Sequence, residues 1–433
     1  LELVAAAAVG RRAPLAAAIA VVGVEVTLIG LTLTGATMLQ RDLSLADDLA
    51  FGLSVAATGL AFTGLAALAA QVAATGRGAG AVGAAVLGLA FLLRAFGDTD
   101  RAQGGSGWAS WLSPLGWANQ TRVFVDTRWW PILLPLAFAL VTGGVAWVLA
   151  GRRDQGAGLV AARNGPAEAA KDLLSLSGLV WRRTRGSLLA WGGGAAALGL
   201  TMGPIISDMT GYIRDNPYIA AALGVRPDSG LAEVTAGFTA LITAYMALLM
   251  AAFAILAVNA FHSDELAGLI ARQLAEPVSR RRLLASVESM AGLGALLGMS
   301  VAGVSYLLVV AADDDLGREA ALDVATATLH AFPGLILTVA LASFLVAALP
   351  KLTVLNWIPF SYAFAYSIVG QALNFPEWCR YLSPLSALAF SPDEAWSREA
   401  MESLLARAAV LLAVAAALFY AGHRRFAARD LLA

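Results

Sequence analysis

Ten stretches of this 433-residue chain run for about 18 residues or more with at most one charge near the centre, and no other feature limits the fold as strongly. They cover about 14–37, 49–71, 79–97, 130–150, 186–207, 231–260, 283–311, 320–349, 352–372 and 403–422. An α-helix rises 1.5 Å per residue, so about 20 residues cross the hydrocarbon, and a helix satisfies its own backbone polar groups there. Composition agrees. Hydrophobic residues make up 59% and charged residues 14%, where a soluble domain carries about 25% charged. The chain reads as an all-α integral protein of the cell (plasma) membrane, crossing it many times.

Charge sets the orientation. Eighteen of the 29 Lys and Arg residues fall in one set of loops, nine in the alternate set, and Arg94 and Arg407 lie within span ends. The richer set includes Arg11, Arg12, Arg152, Arg153, Arg280, Arg281, Arg282, Arg424 and Arg425. The positive-inside rule puts it, with both ends of the chain, in the cytoplasm. A net charge of −1 offers nothing to nucleic acid. One cysteine, Cys379, excludes an internal disulfide framework, and three scattered histidines give no metal-ligand spacing.

The sequence repeats itself. "VGRRAPLAA" (9–17) matches "VSRRRLLAS" (278–286) at an offset of 269, "WLSPLGW" (111–117) matches "YLSPLSA" (381–387) at 270, and "LAGRRD" (149–154) matches "YAGHRR" (420–425) at 271. Matches in one order, on matching sides of the membrane, imply two parallel halves. The second copy is longer at its front, so roughly 90–100 residues are expected before Leu1 in the parent chain, for twelve spans as two six-helix halves. The expected divisions are 1–153, the first half with spans 3–6; 154–181, a cytoplasmic linker and interfacial helix; and 182–433, the second half with spans 7–12.

One charged stretch interrupts the apolar runs: "HSDELAGLIARQLAEPVSRRRLLAS" (262–286). Helical periodicity over 264–276 puts Leu266, Leu269, Ile270 and Leu274 on one face, with Asp264, Glu265, Arg272 and Glu276 around the other. Pro277 stops the helix. Such an element either lies on lipid or takes force from a soluble partner. Leu1, Glu2, Leu3 and Val4 are expected to be part of its counterpart in the first half, where Ala8 stands in the place of Pro277.

"DELAGLIARQLAEPVSRRRLLAS" resembles the coupling-helix region of ABC-2 type permeases. "LSPLGWANQTRVFVDTRWWPILLPLAFAL" (112–140) and "RRTRGSLLAWGGG" (182–194) resemble the actinobacterial multidrug and polyketide-antibiotic (tetronasin-type) exporter permeases. The resemblance covers most of the chain. It implies a membrane subunit exporting amphiphilic small molecules, coupled to two copies of a separate ABC ATPase that holds ATP and Mg, with no cofactor in this chain. The residues fit that division of labour. A P-loop reads G-x-x-x-x-G-K-[ST], and the two lysines, Lys171 in "EAAKDL" and Lys351 in "LPKLT", stand in no such context.

The same resemblance places the substrate path on the second and fifth spans of each half. In the second half these carry Tyr245, Met246, Met250 and Phe253, then Trp357, Phe360, Tyr362, Phe364 and Tyr366. Met and aromatic surfaces adapt to varied apolar shapes, although ordinary helix packing uses the same residues. Glu25 lies thirteen residues after Arg12, about 20 Å along a helix, near the bilayer middle. It reads either as a cation or proton site or as a hydrogen-bonding group within the bundle. Glu288 reads as interfacial. Trp108, Trp111 and Trp117 belong to an aromatic belt or to a lid helix over the extracellular exit. The rival classes are a secondary, ion-coupled multidrug transporter and a membrane-embedded enzyme. For the enzyme only the acidic run 313–315 offers a cluster of carboxylates, and a solvated loop explains it better.

Overall fold

Small residues let the helices approach one another closely, and that governs the packing throughout. The computed structural model describes residues 10–39, 44–102, 104–152, 168, 170–203, 230–313, 316–367, 375–386 and 398–431. Every regular element among them is helical: α1 (Ala13–Thr37), α2 (Leu45–Val72), α3 (Gly76–Ala102), α4 (Pro114–Gln120), α5 (Leu133–Arg152), α6 (Leu176–Met202), α7 (Leu231–Leu266), α8 (Leu269–Leu274), α9 (Arg280–Ala311), α10 (Gly317–Ala348), α11 (Trp357–Ala365) and α12 (Arg398–Ala428), with short 3-10 turns between some of them. Eight of the described helices are long and apolar enough to cross a membrane. The chain divides into two units, Leu1–Pro166 and Ala167–Ala433.

Two of the ten expected spans differ from expectation. The stretch at 186–207 belongs to α6, which starts ten residues earlier, at Leu176, behind an N-cap from Ser175. Its first turns carry Arg182, Arg183 and Arg185, and its apolar half is diluted by Gly192, Gly193 and Gly194. The stretch at 352–372 does not form one helix from its start. A 3-10 turn over Pro350–Asn356 gives way to the nine-residue α11. Pro350 and Pro359 lack the N–H that a continuous helix needs at those positions.

In the first unit α2 packs against α1, α3 and α5. A Cβ added at Gly30 would stand 2.6 Å from the Gly52 carbonyl, and one at Gly64 2.8 Å from the Ala139 carbonyl. Those glycines are what bring α1 and α5 against α2. Ser44 caps α2 by accepting the Asp47 N–H at 3.2 Å, and Asp47 and Asp48 in its first turn complement the helix dipole.

In the second unit the 36-residue α7 is central, packed on α6, α9 and α10. Its core joins Met246, Met250 and Phe253 of α7 with Met299 and Tyr306 of α9, Leu335 and Val346 of α10 and Phe426 of α12. One hydrogen bond recurs in both units. The Ser113 hydroxyl donates to the Ala90 carbonyl at 2.6 Å, and the Ser383 hydroxyl donates to the Pro359 carbonyl at 3.0 Å.

Candidate coupling and transport site

Residues 262–286 fold as a hook. α7 ends at Leu266, and the backbone turns at Gly268 with φ +70°, a conformation open to glycine and strained for other residues. The Gly268 N–H donates to the Glu265 carbonyl at 2.9 Å, closing the end of the helix. The six-residue α8 follows, and after Pro277 the Ser279 side chain caps α9 by accepting the Arg282 N–H at 3.3 Å.

The structure corrects the single helix expected over 264–276. The break at Ala267 and Gly268 rotates its two parts apart, so the expected apolar and charged faces do not form. Asp264 is 7% exposed and Glu265 1%. Asp264 pairs with Arg183 of α6, whose Nη2 also donates to the Ala260 carbonyl at 3.2 Å. Glu265 receives both terminal nitrogens of Arg429, each at 2.6 Å, from the segment following α12. The expected apolar face divides too. Leu266 and Leu269 are 58% and 41% exposed, Ile270 is buried, and Leu274 is half-buried against the core. Arg272, Glu276 and Pro277 are exposed. The outward surface is therefore two leucines with a mixed-charge rim.

Arg429 does more than neutralise Glu265. Its Nε donates to the Ala347 carbonyl at the end of α10 at 2.8 Å, and its guanidinium lies 5.1 Å from the Phe426 ring centroid. Arg280 of α9 donates to the Arg429 carbonyl and, at 3.4 Å, to that of Phe426. One cationic side chain thus ties the base of α7 to α10, while Arg280 ties the same segment to α9. Fork-to-carboxylate geometry of this kind is directional as well as strong.

Higher on the same helices, Met246, Met250 and Phe253 are fully buried. Each sits opposite a glycine. A Cβ at Gly199 would meet Met246 Cε at 2.8 Å, one at Gly298 would meet Met250 Sδ, and one at Gly294 would meet Phe253 at 2.9 Å. The structure buries these three side chains in helix packing, while Tyr245 beside them is half-buried. The α11 aromatics are more open. Trp357 and Phe360 meet edge to face at 5.3 Å, Tyr362 and Tyr366 stack at 6.2 Å, and Phe364 is 48% exposed. The Tyr362 hydroxyl donates to the Cys379 carbonyl at 2.8 Å.

In the first unit, Trp111 stacks on Trp130 at 5.4 Å, and the Trp117 indole N–H donates to the Trp111 carbonyl at 2.6 Å. Trp117 also meets Phe138 of α5 edge-on at 5.8 Å, while Trp108 is exposed. Trp111 and Trp117 thus hold a short turn and α4 against the start of α5. Glu25 is exposed on α1 among Val21, Val24 and Leu28. Leu1, Glu2, Leu3 and Val4 lie outside the described residues.

Sequence reasoning did not single out Arg183 or Arg429, because both were absorbed into the charge count that fixes orientation. It also read Glu288 as interfacial. The structure buries that carboxylate to 8% exposure, with the Ser343 hydroxyl on Oε1 and His423 Nε2 2.7 Å from Oε2. A signal was available in the heptad-like spacing of Glu288 and Ala295 on one face, where a charge precedes an apolar and glycine-rich run.

Comparison with known proteins adds a second line. The family model for the C-terminal domain of the multidrug efflux system permease Rv1217c matches residues 173–420. Among curated proteins, the multidrug efflux system permease protein Rv1217c of Mycobacterium tuberculosis is 34% identical over 353 residues, which cover 81% of this chain and 62% of that relative. The chain thus spans less than two thirds of that relative's length.

Proposed function

The chain belongs to the family of the multidrug efflux system permease Rv1217c, and from that premise we propose that it is the membrane subunit of an ATP-driven exporter of amphiphilic drugs or antibiotics. In this reading a separate ATPase, present in two copies, binds ATP and Mg and docks on the cytoplasmic hooks, and both ends of the chain are cytoplasmic. The observation that carries it is the hook itself. Leu266 and Leu269 project outward, while Asp264 and Glu265 behind them are anchored to Arg183 and Arg429.

That arrangement suits force transmission. A partner grips exposed leucines, each contributing about 1.5–3 kcal/mol when fully buried. Displacement passes through the ion pairs to α6, α10 and the end of α12, so the hook moves with several spans together and does not bend as a loop would. The substrate path remains on the faces of α7 and α11, with Tyr245 and the α11 aromatics as the accessible part. Met246, Met250 and Phe253 come to that surface only if α7 separates from α6 and α9 during the cycle.

The test is Leu266→Asp with Leu269→Asp. Both positions are exposed, so the chain should fold and reach the membrane, while the ATPase no longer co-purifies or its hydrolysis becomes insensitive to drugs. Normal export with the ATPase still bound would show that the hook lies on lipid. The secondary-transporter reading has one observation in its favour, the buried Glu288–His423 pair. It requires efflux that stops with a protonophore and continues after ATP depletion.

A further inference from the structure

A groove of about 380 Å³ opens beside Glu288, lined by Gly292 and Leu296 of α9, Ile336 and Val339 of α10 and Phe419 of α12. Drug-sized ligands occupy clefts of about 300–1,000 Å³, mostly apolar with a few placed polar groups. From Glu288 to Leu296 the helix rises about 12 Å. The groove is therefore long, apolar along its length and acidic at one end. We propose that it binds an amphiphilic organic cation, with the apolar body along Gly292, Leu296 and Phe419 and the positive centre at Glu288.

Three observations choose this occupant. A carboxylate's two oxygens offer about four lone-pair sites, and the described partners of Glu288, Ser343 and His423, occupy one oxygen each, so acceptor capacity remains on a carboxylate that lines the groove. Among the described residues that line the groove, none is a lysine or an arginine, and the one formal charge is the Glu288 carboxylate. Gly292 keeps the wall open: a Cβ at that position meets nothing within 4 Å. A phospholipid amine fits less well. In a lipid the ammonium is the outermost group, beyond its phosphate. Glu288 lies six residues, about 9 Å, along the helix from Arg282 toward the apolar run. A cation there has its charge at the inner end of the headgroup zone with no phosphate beside it.

The proposal rests on the exporter reading for its biological sense, yet its test is independent of transport. Tritiated decylammonium, a primary ammonium at one end of an apolar chain, is titrated onto the purified full chain in phosphatidylcholine nanodiscs. Saturable binding is expected, weakened at least about tenfold by Glu288→Gln, as loss of a charge-assisted contact implies. Gly292→Leu should weaken it comparably by filling the groove. That variant leaves the Glu288 partners in place, and an unchanged thermal midpoint shows that it folds. Decyl sulfate, of the same chain length and opposite charge, should not compete. Binding unaffected by both substitutions, equal competition by decyl sulfate, or displacement by phosphatidylethanolamine added to the nanodisc would each overturn the proposal. A chain that binds the cation as expected but exports nothing in cells would count against the exporter reading alone. One that exports without binding here would count against this site alone.

Discussion

Arg429 carries an unusual share of the second unit's organisation for one side chain. It meets a carboxylate that is 1% exposed through two bonds of 2.6 Å and reaches the end of α10 through a third. Removing one member of a buried pair leaves the other charged and desolvated, which costs about 3–5 kcal/mol, more than the pair itself contributes over an apolar replacement. Arg429→Met is therefore expected to lower the thermal midpoint strongly. Arg429→Met combined with Glu265→Gln should recover a large part of the loss, because no uncompensated charge remains. Thermal unfolding of the purified chain measures both. If the single and double variants melt together well below the parent, the bidentate pair is not what holds the base of α7.

At the level of elements, the contact of α7 with α9 depends on notches as much as on bulk. Met250 lies over Gly298 and Phe253 over Gly294, so the two helices interlock large residue against none. A methyl group at Gly298 has no room while Met250 keeps its place. Gly298→Ala is expected to destabilise by about 1–3 kcal/mol through overpacking, despite the better helix propensity of alanine. Met250→Ala should restore much of that stability by vacating the volume. The double-mutant cycle gives the coupling directly. Additive effects of the two substitutions would mean that the helices separate readily at this point. The same measurement made during turnover bears on transport. If α7 parts from α9 in the cycle, Gly298→Ala should also change drug-stimulated ATP hydrolysis.

At the level of the whole molecule, the proposed topology puts the hook and the tryptophan turn on opposite sides of the membrane. Arg272 and Trp108 are both exposed and serve as reporters. In a Cys379→Ala background, a membrane-impermeant maleimide should label Arg272→Cys only in inside-out vesicles and Trp108→Cys only in intact cells. Labelling of both from one side would break the alternation on which the positive-inside assignment rests.

Much of this protein is determined by its sequence alone. Apolar length decides which segments can cross a membrane, because the hydrocarbon thickness and the helix rise are fixed. The match of "WLSPLGW" to "YLSPLSA" is legible in the sequence, and the structure uses Ser113 and Ser383 alike, each hydroxyl donating to a carbonyl of a preceding helix, Ala90 of α3 and Pro359 of α11. Periodicity also located the hook through Pro277 and the arginines after it. What periodicity could not supply is a direction for its charges. A helical wheel sorts residues by polarity and treats the polar face as outward. Asp264 and Glu265 turn inward because Arg183 and Arg429, 81 and 164 positions away in sequence, wait there to pair with them. The same limit applies to Met250, whose burial depends on a glycine 48 residues later, and to Glu288, whose partners come from α10 and α12. The energy of burying a charge or a thioether is set by what faces it, and facing partners are a property of the tertiary structure.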